Sequence, residues 1–142
     1  MSTRTHVAVV HKKYAQLILD GKKTAELRLS KNRIAPFGRI SKGDTVYFKI
    51  ASGSICARAR VNRIEQFEGL TPKELKALST RLNKVVLGDS SYWNLKQSAR
   101  FGTVIHLAGV KPCDVGPDFS SARAANPRAA WLVLEDSVTT SR

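Results

Sequence analysis

The spacing of hydrophobic residues changes at Gly21, and this change constrains the fold more than any other feature of the chain. Before it, Tyr14 and Ile18 lie one helical turn apart. A glycine is suited to the left-handed backbone that commonly ends a helix. After it, apolar and polar residues alternate over 24–29, which is the two-residue period of a strand. We therefore predict a helix over 13–20 that passes through a glycine turn directly into a strand.

The next part of the chain has the patterns of a strand, a hairpin and a helix. An apolar run over 7–10 predicts a buried strand. Residues 46–50 and 55–61 alternate on either side of a Ser-Gly-Ser turn, which predicts a β-hairpin with one apolar face and one basic, aromatic face. Thr71 and Glu74 have the spacing of a capping box and predict the start of a second helix.

The C-terminal half predicts one further helix and two strands. Residues 90–98 predict a short helix, and 103–110 and 131–134 predict central strands because they are apolar on both faces. The Pro- and Gly-containing segment 111–128 predicts an irregular loop. This order of elements, with mostly hairpin-type connections, predicts an α+β fold: a mixed or antiparallel β-barrel with helices packed at its openings.

The composition indicates a folded, basic domain. The sequence has 142 residues, a formal charge of +13 and 42% hydrophobic residues. We expect a single domain over 1–142, with a core over about 6–135, short flexible termini and a monomeric state. Such an excess of positive charge favours polyanions such as nucleic acid as partners. Neither a signal-peptide pattern nor a membrane-spanning run is found, so we expect a cytoplasmic protein without membrane contact.

Several specific chemistries are excluded or left open by residue spacing. The glycine that a P-loop requires is replaced by Gln16, so a nucleoside triphosphatase is not expected. The three histidines do not have ligand spacing, so neither a metal site nor a cofactor is predicted. Cys56 and Cys113 belong to no paired motif. We favour free thiols there, but the sequence leaves a disulfide between them open.

Polar side chains on successive strands outline a candidate site. If the sheet curls so that these faces are concave, cations for phosphate and a ring for base stacking would share one cleft. Lys23 lies where the first helix passes into the strand, and the sequence leaves its protonation state open. The strand residues concerned are Glu26, Arg28, Tyr47, Lys49, Arg58 and Arg60.

The segment from Tyr14 to Arg28 resembles the signature of the ASCH domain family, which is part of the PUA-like superfamily. The shared pattern is Gly-x-Lys-Thr-x-Glu-x-Arg from Gly21 onward, preceded by Tyr-Ala and an isoleucine. The resemblance covers about residues 7–135 and includes the Gly-Asp pair at 43–44. It implies a PUA-like barrel with a cleft between barrel and helices, and RNA as the partner. A modified nucleoside is a further possible ligand.

Two enzymatic alternatives follow from the same resemblance. One bacterial branch of the family hydrolyses N4-acetylcytidine with a lysine, a threonine and a glutamate; the lysine aligns with Lys23, whereas the threonine aligns with Glu26. Glu65, Glu68 and Glu74 are the candidates for the glutamate, although the capping box already explains Glu74. Another member of the family cleaves RNA. If the protein is an enzyme, the resemblance implies a hydrolase in which Lys23 and Glu26 are catalytic.

The main hypothesis at this point is an RNA-binding domain with a cationic cleft. Tyr92 is expected to face the pocket and its neighbour Trp93 to face the core. The complete set of candidate ligand-binding residues is Lys23, Thr24, Glu26, Arg28, Tyr47, Lys49, Arg58, Arg60, Tyr92 and Arg100.

Overall fold

A single curled sheet of six strands organises the protein. The structure, a computed structural model, describes residues 3–134, so the predicted end of the core at 135 and the flexible termini beyond these limits lie outside the described residues. In chain order the strands are β1 (Thr5–Val10), β2 (Ala25–Ser30), β3 (Thr45–Ile50), β4 (Ile55–Glu68), β5 (Phe101–Pro112) and β6 (Trp131–Leu134). Their order across the sheet is β2-β5-β4-β3-β1-β6. Strands β1 and β3 are parallel, and all other neighbours are antiparallel.

Four helices flank this sheet within the described part of the chain. They are α1 (Lys12–Leu19), α2 (Pro72–Val86), α3 (Ser90–Leu95) and α4 (Ser120–Ala125). The predicted capping box of α2 is confirmed, because the side chains of Thr71 and Glu74 each bond the backbone N–H of the other. The segment predicted as a loop over 111–128 contains α4. This helix was missed because it has six residues, no side-chain cap and no buried face.

The expected closed barrel is a half-barrel. Strands β2 and β6 are the two edges of the sheet, and no ladder joins them within residues 3–134. Helix α1 covers the interior with Ala15 and Ile18, as expected for a helix at an opening. Helix α2 contacts β2 and packs with α3 against the outer face of the sheet. The prediction that the helices lie at the openings therefore holds for α1 but not for α2 and α3.

The sheet separates two main hydrophobic cores, and this separation determines which way each polar side chain faces. The interior core contains Val46 and Phe48 of β3 and Ala57 of β4. The outer core contains Ala25 and Leu27 of β2, packed against α2. The apolar face of β2 therefore points outward, whereas the apolar faces of β3 and β4 point inward. As a consequence, β2 presents its polar side chains to the interior, whereas β3 and the first half of β4 present theirs to the outside.

Candidate functional site

Lys23 lies at the end of α1, in a turn that depends on glycine. Gly21 has a φ of +77°, and the backbone N–H groups of Lys22 and Lys23 both donate to the carbonyl of Leu17 at 3.0 Å. This turn directs the Lys23 side chain back under α2, where it is 3% exposed. Its Nζ donates a hydrogen bond to the carbonyl oxygen of Val86. The lysine is therefore held inside the protein, at the mouth of the half-barrel.

Glu26 joins Lys23 to Arg28 on the interior face of β2. Its Oε1 lies 3.2 Å from Lys23 Nζ, and its Oε2 accepts from Arg28 Nη2 at 2.6 Å and from Arg28 Nε at 2.9 Å. Glu26 is 6% exposed. The three side-chain tips predicted from the sequence to converge are thus in direct contact, in a buried cluster of two cations and one carboxylate.

The charge state of Glu26 follows from its two neighbours. Burial raises the pKa of Glu26, but the positive charges of Arg28 and Lys23 outweigh it, so the pKa lies below its ordinary value. Glu26 is consequently a carboxylate at neutral pH, and the cluster has a net positive charge. A carboxylate in this state accepts hydrogen bonds and cannot act as a general acid.

The cluster has unused hydrogen-bonding capacity. Arg28 has five N–H donors. In addition to the two bonds to Glu26, Nη2 donates to the carbonyl of Val9 at 2.9 Å and Nη1 to that of Ala130 at 3.3 Å. One N–H of Nη1 therefore has no partner among residues 3–134. Oε1 of Glu26 accepts from Lys23 and retains one lone pair. Lys23 Nζ has three N–H donors and uses two of them within residues 3–134, on Glu26 and on the carbonyl of Val86. The cluster can thus offer a ligand two donors and one acceptor.

A cavity of about 340 Å³ borders the cluster. Tyr14 and Tyr92 are among its lining residues, as are Lys23, Glu26 and Arg28. The Tyr14 ring centroid lies 5.3 Å from Lys23 Nζ, and the Tyr92 hydroxyl donates to the carbonyl of Leu27 at 2.9 Å. This volume is near the lower limit of the range of about 300–1,000 Å³ that is usual for small-molecule sites.

Tyr92 and Trp93 both contact the outer core, so their positions differ less than expected. Tyr92 lines the cavity, as expected, but both rings are half-buried and both pack against the outer core. Their ring centroids are 5.3 Å apart in an edge-to-face arrangement. Burial raises the pKa of the Tyr92 hydroxyl, which stays protonated and acts as a donor. The expectation that only Trp93 would face the core was therefore wrong.

Arg28 also contacts a buried network of Trp131, His6 and Asp44, which the sequence did not predict. The Arg28 guanidinium lies 5.1 Å from the centre of the Trp131 ring. Trp131 Nε1 donates to His6 Nδ1 at 3.0 Å, so in neutral His6 the proton is on Nε2, which bonds Asp44 Oδ2 at 2.8 Å. Burial lowers the pKa of His6 and favours this neutral form. The Gly-Asp pair at 43–44 was the available sequence signal, but Trp131 and His6 are 125 positions apart.

Four of the six remaining candidate residues lie on the opposite face of the sheet. Register pairs Tyr47 with Arg58 and places Arg60 beside Thr45, alternating with residues of the interior core. Lys49 belongs to the same alternation. These four side chains therefore do not share a cleft with Glu26 and Arg28. The reason is the opposite orientation of β2, whose apolar residues pack against α2.

Thr24 and Arg100 also lie away from the cavity. Both are exposed, and neither belongs to its lining. Thr24 donates its N–H to the carbonyl of Val85, and Arg100 Nη1 donates to the carbonyl of Leu70. Conversely, Tyr14, His11, Leu95 and Lys96 line the cavity although they were not predicted as site residues. Only Tyr14 had a sequence signal, because it belongs to the ASCH signature.

The glutamates considered for the amidohydrolase are remote from Lys23 and already have partners. Glu65 bonds His106 at 2.9 Å and Arg81 at 2.9 Å. Glu68 pairs with Arg33, and Glu74 caps α2. None of the three glutamates lines the cavity. Glu26 is therefore the carboxylate of this site.

Residues 3–134 contain neither a cluster of metal ligands nor a membrane-spanning helix. No group of three His, Cys, Asp or Glu side chains there could hold a metal ion. No helix there is long and apolar enough to cross a membrane.

Two solved structures with a similar fold are those of one bacterial protein and its variant. The ASCH protein of Zymomonas mobilis is 15% identical, with a TM-score of 0.65 over 94% of this chain and 89% of the other. A serine-to-alanine variant of that protein is 16% identical, with a TM-score of 0.65 over 92% of this chain and 88% of the other. At this identity, the similarity establishes the fold. No curated protein matches the sequence.

The family itself is established by a sequence match. The model of the ASCH domain matches residues 9–107, well over half of the chain. This range contains the whole Gly21–Arg28 signature and confirms the resemblance drawn from it. The protein therefore belongs to the ASCH domain family.

Proposed function

We propose that this protein binds single-stranded RNA and takes one unpaired base into the cavity beside Lys23, Glu26 and Arg28. The observation that supports the proposal most directly is the unused donor of Lys23 beside the unused acceptor of Glu26, in a cavity with tyrosine walls. The edge of a nucleobase presents donors and acceptors side by side, and its faces stack on aromatic rings. We also assign the half-barrel to the PUA-like superfamily.

The charge of the protein supports the same function. A formal charge of +13 attracts the phosphate backbone, whichever base is bound. Arg58 and Arg60 are exposed, and no carboxylate of the described chain forms an ion pair with either. We assign both residues, together with Lys49, to backbone contacts that are independent of sequence. The cavity would then select an unpaired base, and the outer cations would add salt-dependent affinity.

The proposal predicts that an interior and an exterior pair of cations have different roles. We expect Lys23→Gln with Arg28→Gln to weaken binding of single-stranded RNA at least about tenfold and to remove the preference for single over double strands. Arg58→Gln with Arg60→Gln removes the same charge from the outer face. This variant should lower the slope of affinity against salt but keep the preference. Fluorescence anisotropy over a salt series, with the same sequence as DNA for comparison, measures all of these quantities.

A third variant shows whether weaker binding by the interior double variant reflects loss of the site or loss of the fold. Tyr14→Leu leaves the charged cluster intact and removes one wall of the cavity. It should also weaken single-stranded RNA binding, while its thermal unfolding shows whether the fold is kept. If both Tyr14→Leu and the interior double variant bind RNA as tightly as the native protein, the cavity is not the binding site.

The amidohydrolase alternative has one observation in its favour, because Lys23 and a carboxylate line the same cavity. However, Lys23 Nζ already bonds Glu26 and the carbonyl of Val86, and Glu26 stands where that branch has its threonine. We therefore expect no cytidine from N4-acetylcytidine and full recovery of intact RNA after incubation. Release of cytidine that Lys23→Gln abolishes would establish the hydrolase instead, and cleaved RNA would favour a ribonuclease.

A further inference from the structure

A second, larger cavity adjoins the one described above. Its volume is about 870 Å³, and it lies at the open side of the half-barrel, where residues of both edge strands line it. Arg28, Leu29, Lys96 and Ala130 line both cavities. The two spaces are therefore neighbours that share a wall, and Arg28 and Lys96 provide the positive charge of that wall.

We infer that the larger cavity is a second nucleotide subsite, which holds the residue next to the one whose base enters the smaller cavity. This inference rests on the proposed RNA-binding function. The shared wall is suited to the sugar-phosphate link between two nucleotides. Arg28 has one unused N–H, and Lys96 Nζ uses only one of its three donors, on the carbonyl of Leu29. A chain that filled both cavities would pass beside these two cations.

A buried hydroxyl provides independent support. Thr103 is 0% exposed and lines the larger cavity, yet its Oγ1 has no hydrogen-bond partner among the described residues. It is the register partner of Arg28, so the two side chains lie next to each other on the interior face. Buried hydroxyls are rarely left without a partner. A polar group of a ligand in this cavity would supply the missing bond.

The walls of the larger cavity also offer surface for a base. Phe37 and Trp131 line it, and so does Ile34, which is 59% exposed. Leu95, which is 78% exposed, lines the smaller cavity. Exposed apolar side chains at both cavities are suited to the faces of unpaired bases. Each subsite thus combines an apolar or aromatic wall with a share of the common cations.

The test compares one nucleotide with two. Affinities of nucleoside monophosphates and of dinucleotides with every base combination are measured by calorimetry for the native protein and for Thr103→Val. Thr45→Val, on the outer face, is the matched control. We expect the best dinucleotide to bind the native protein about tenfold more tightly than the best monophosphate. Thr103→Val should reduce this gain about fivefold and leave monophosphate binding unchanged, whereas Thr45→Val should change neither.

The outcomes separate this inference from the function on which it rests. Monophosphate binding without any gain from a second nucleotide would overturn the second subsite and leave the first in place. Equal losses for monophosphates and dinucleotides in Thr103→Val would also overturn it, because the hydroxyl would then act on the first subsite or on the fold. If neither ligand binds and longer RNA does not bind either, the proposed function itself fails.

Discussion

Glu26 organises the site at the level of single residues, because it contacts both the buried Lys23 and the partly buried Arg28 and keeps an acceptor free. The two-residue period predicted that Glu26 and Arg28 share a face, and the glycine turn placed Lys23 close to the start of that strand. The period also grouped Thr24 with them, but Thr24 is exposed and Lys23 is the residue that meets Glu26. The support of Arg28 by Trp131 was not predictable in this way. That contact depends on how the two ends of the chain pair across β1 and β6.

Replacing Glu26 should be costly and should change the dependence of stability on pH. Glu26→Gln leaves the buried Lys23 and the partly buried Arg28 without their carboxylate, so we expect a loss of about 3–5 kcal/mol in the free energy of unfolding. The pKa of Glu26 is lowered in the folded state from an ordinary value of 4.5. Its contribution is therefore complete above pH 4.5 and is lost as the pH falls through the lower folded pKa.

Urea titrations of the native protein and of Glu26→Gln at several pH values between neutral and strongly acidic test this expectation. The difference in unfolding free energy between the two proteins should shrink as the pH is lowered below 4.5. A difference that stays constant across this range would mean that the ion pairs of Glu26 do not stabilise the fold.

Replacing Thr103 should raise the free energy of unfolding, whereas replacing Glu26 should lower it. Its buried hydroxyl lacks a partner among the described residues, so Thr103→Val removes a desolvated polar group without changing the shape of the side chain. We expect the free energy of unfolding to rise by about 1 kcal/mol in the absence of ligand. Chemical denaturation measures this change, with Thr45→Val as the surface control. A clear loss of stability would show that the hydroxyl has a structural partner.

At the level of elements, the capping box of α2 should contribute to stability and not to binding. The Thr71 hydroxyl accepts from the N–H of Glu74 at 3.2 Å, and neither residue lines a cavity. Thr71→Ala should therefore lower the free energy of unfolding by about 1 kcal/mol and leave RNA affinity unchanged. Thr80→Ala, at an exposed position of the same helix, is the control and should lose little. Weaker RNA binding by Thr71→Ala would indicate that α2 takes part in binding.

Sequence patterns predicted where the elements lie but not the direction in which their apolar faces point. Within residues 3–134, the patterns located all six strands and three of the four helices, because hydrophobic periods and caps are local signals. They did not show on which side of the sheet each apolar face would be buried. Strand β2 has its apolar residues against α2, whereas β3 and β4 have theirs inside the half-barrel. Two alternating strands with similar patterns can therefore expose their polar faces in opposite directions.

For the whole molecule, composition predicted a basic domain but not the distribution of its charge. The interior cations are neutralised in part by Glu26, whereas Arg58 and Arg60 lie outside on the sheet. The half-barrel could not be read from the strands alone either, because closure depends on whether β2 and β6 pair. Within the described chain they do not, and Arg28 spans the gap with a hydrogen bond to the carbonyl of Ala130.

The central claim is that an unpaired base enters the half-barrel. Its most direct test is an NMR titration of the labelled protein with a short single-stranded RNA, read at backbone and side-chain signals. The account predicts that saturating shifts, and contacts between base and ring protons, centre on Tyr14, Lys23 and Tyr92. Shifts confined to the outer face around Arg58 and Arg60, with the cavity signals unchanged, would contradict it.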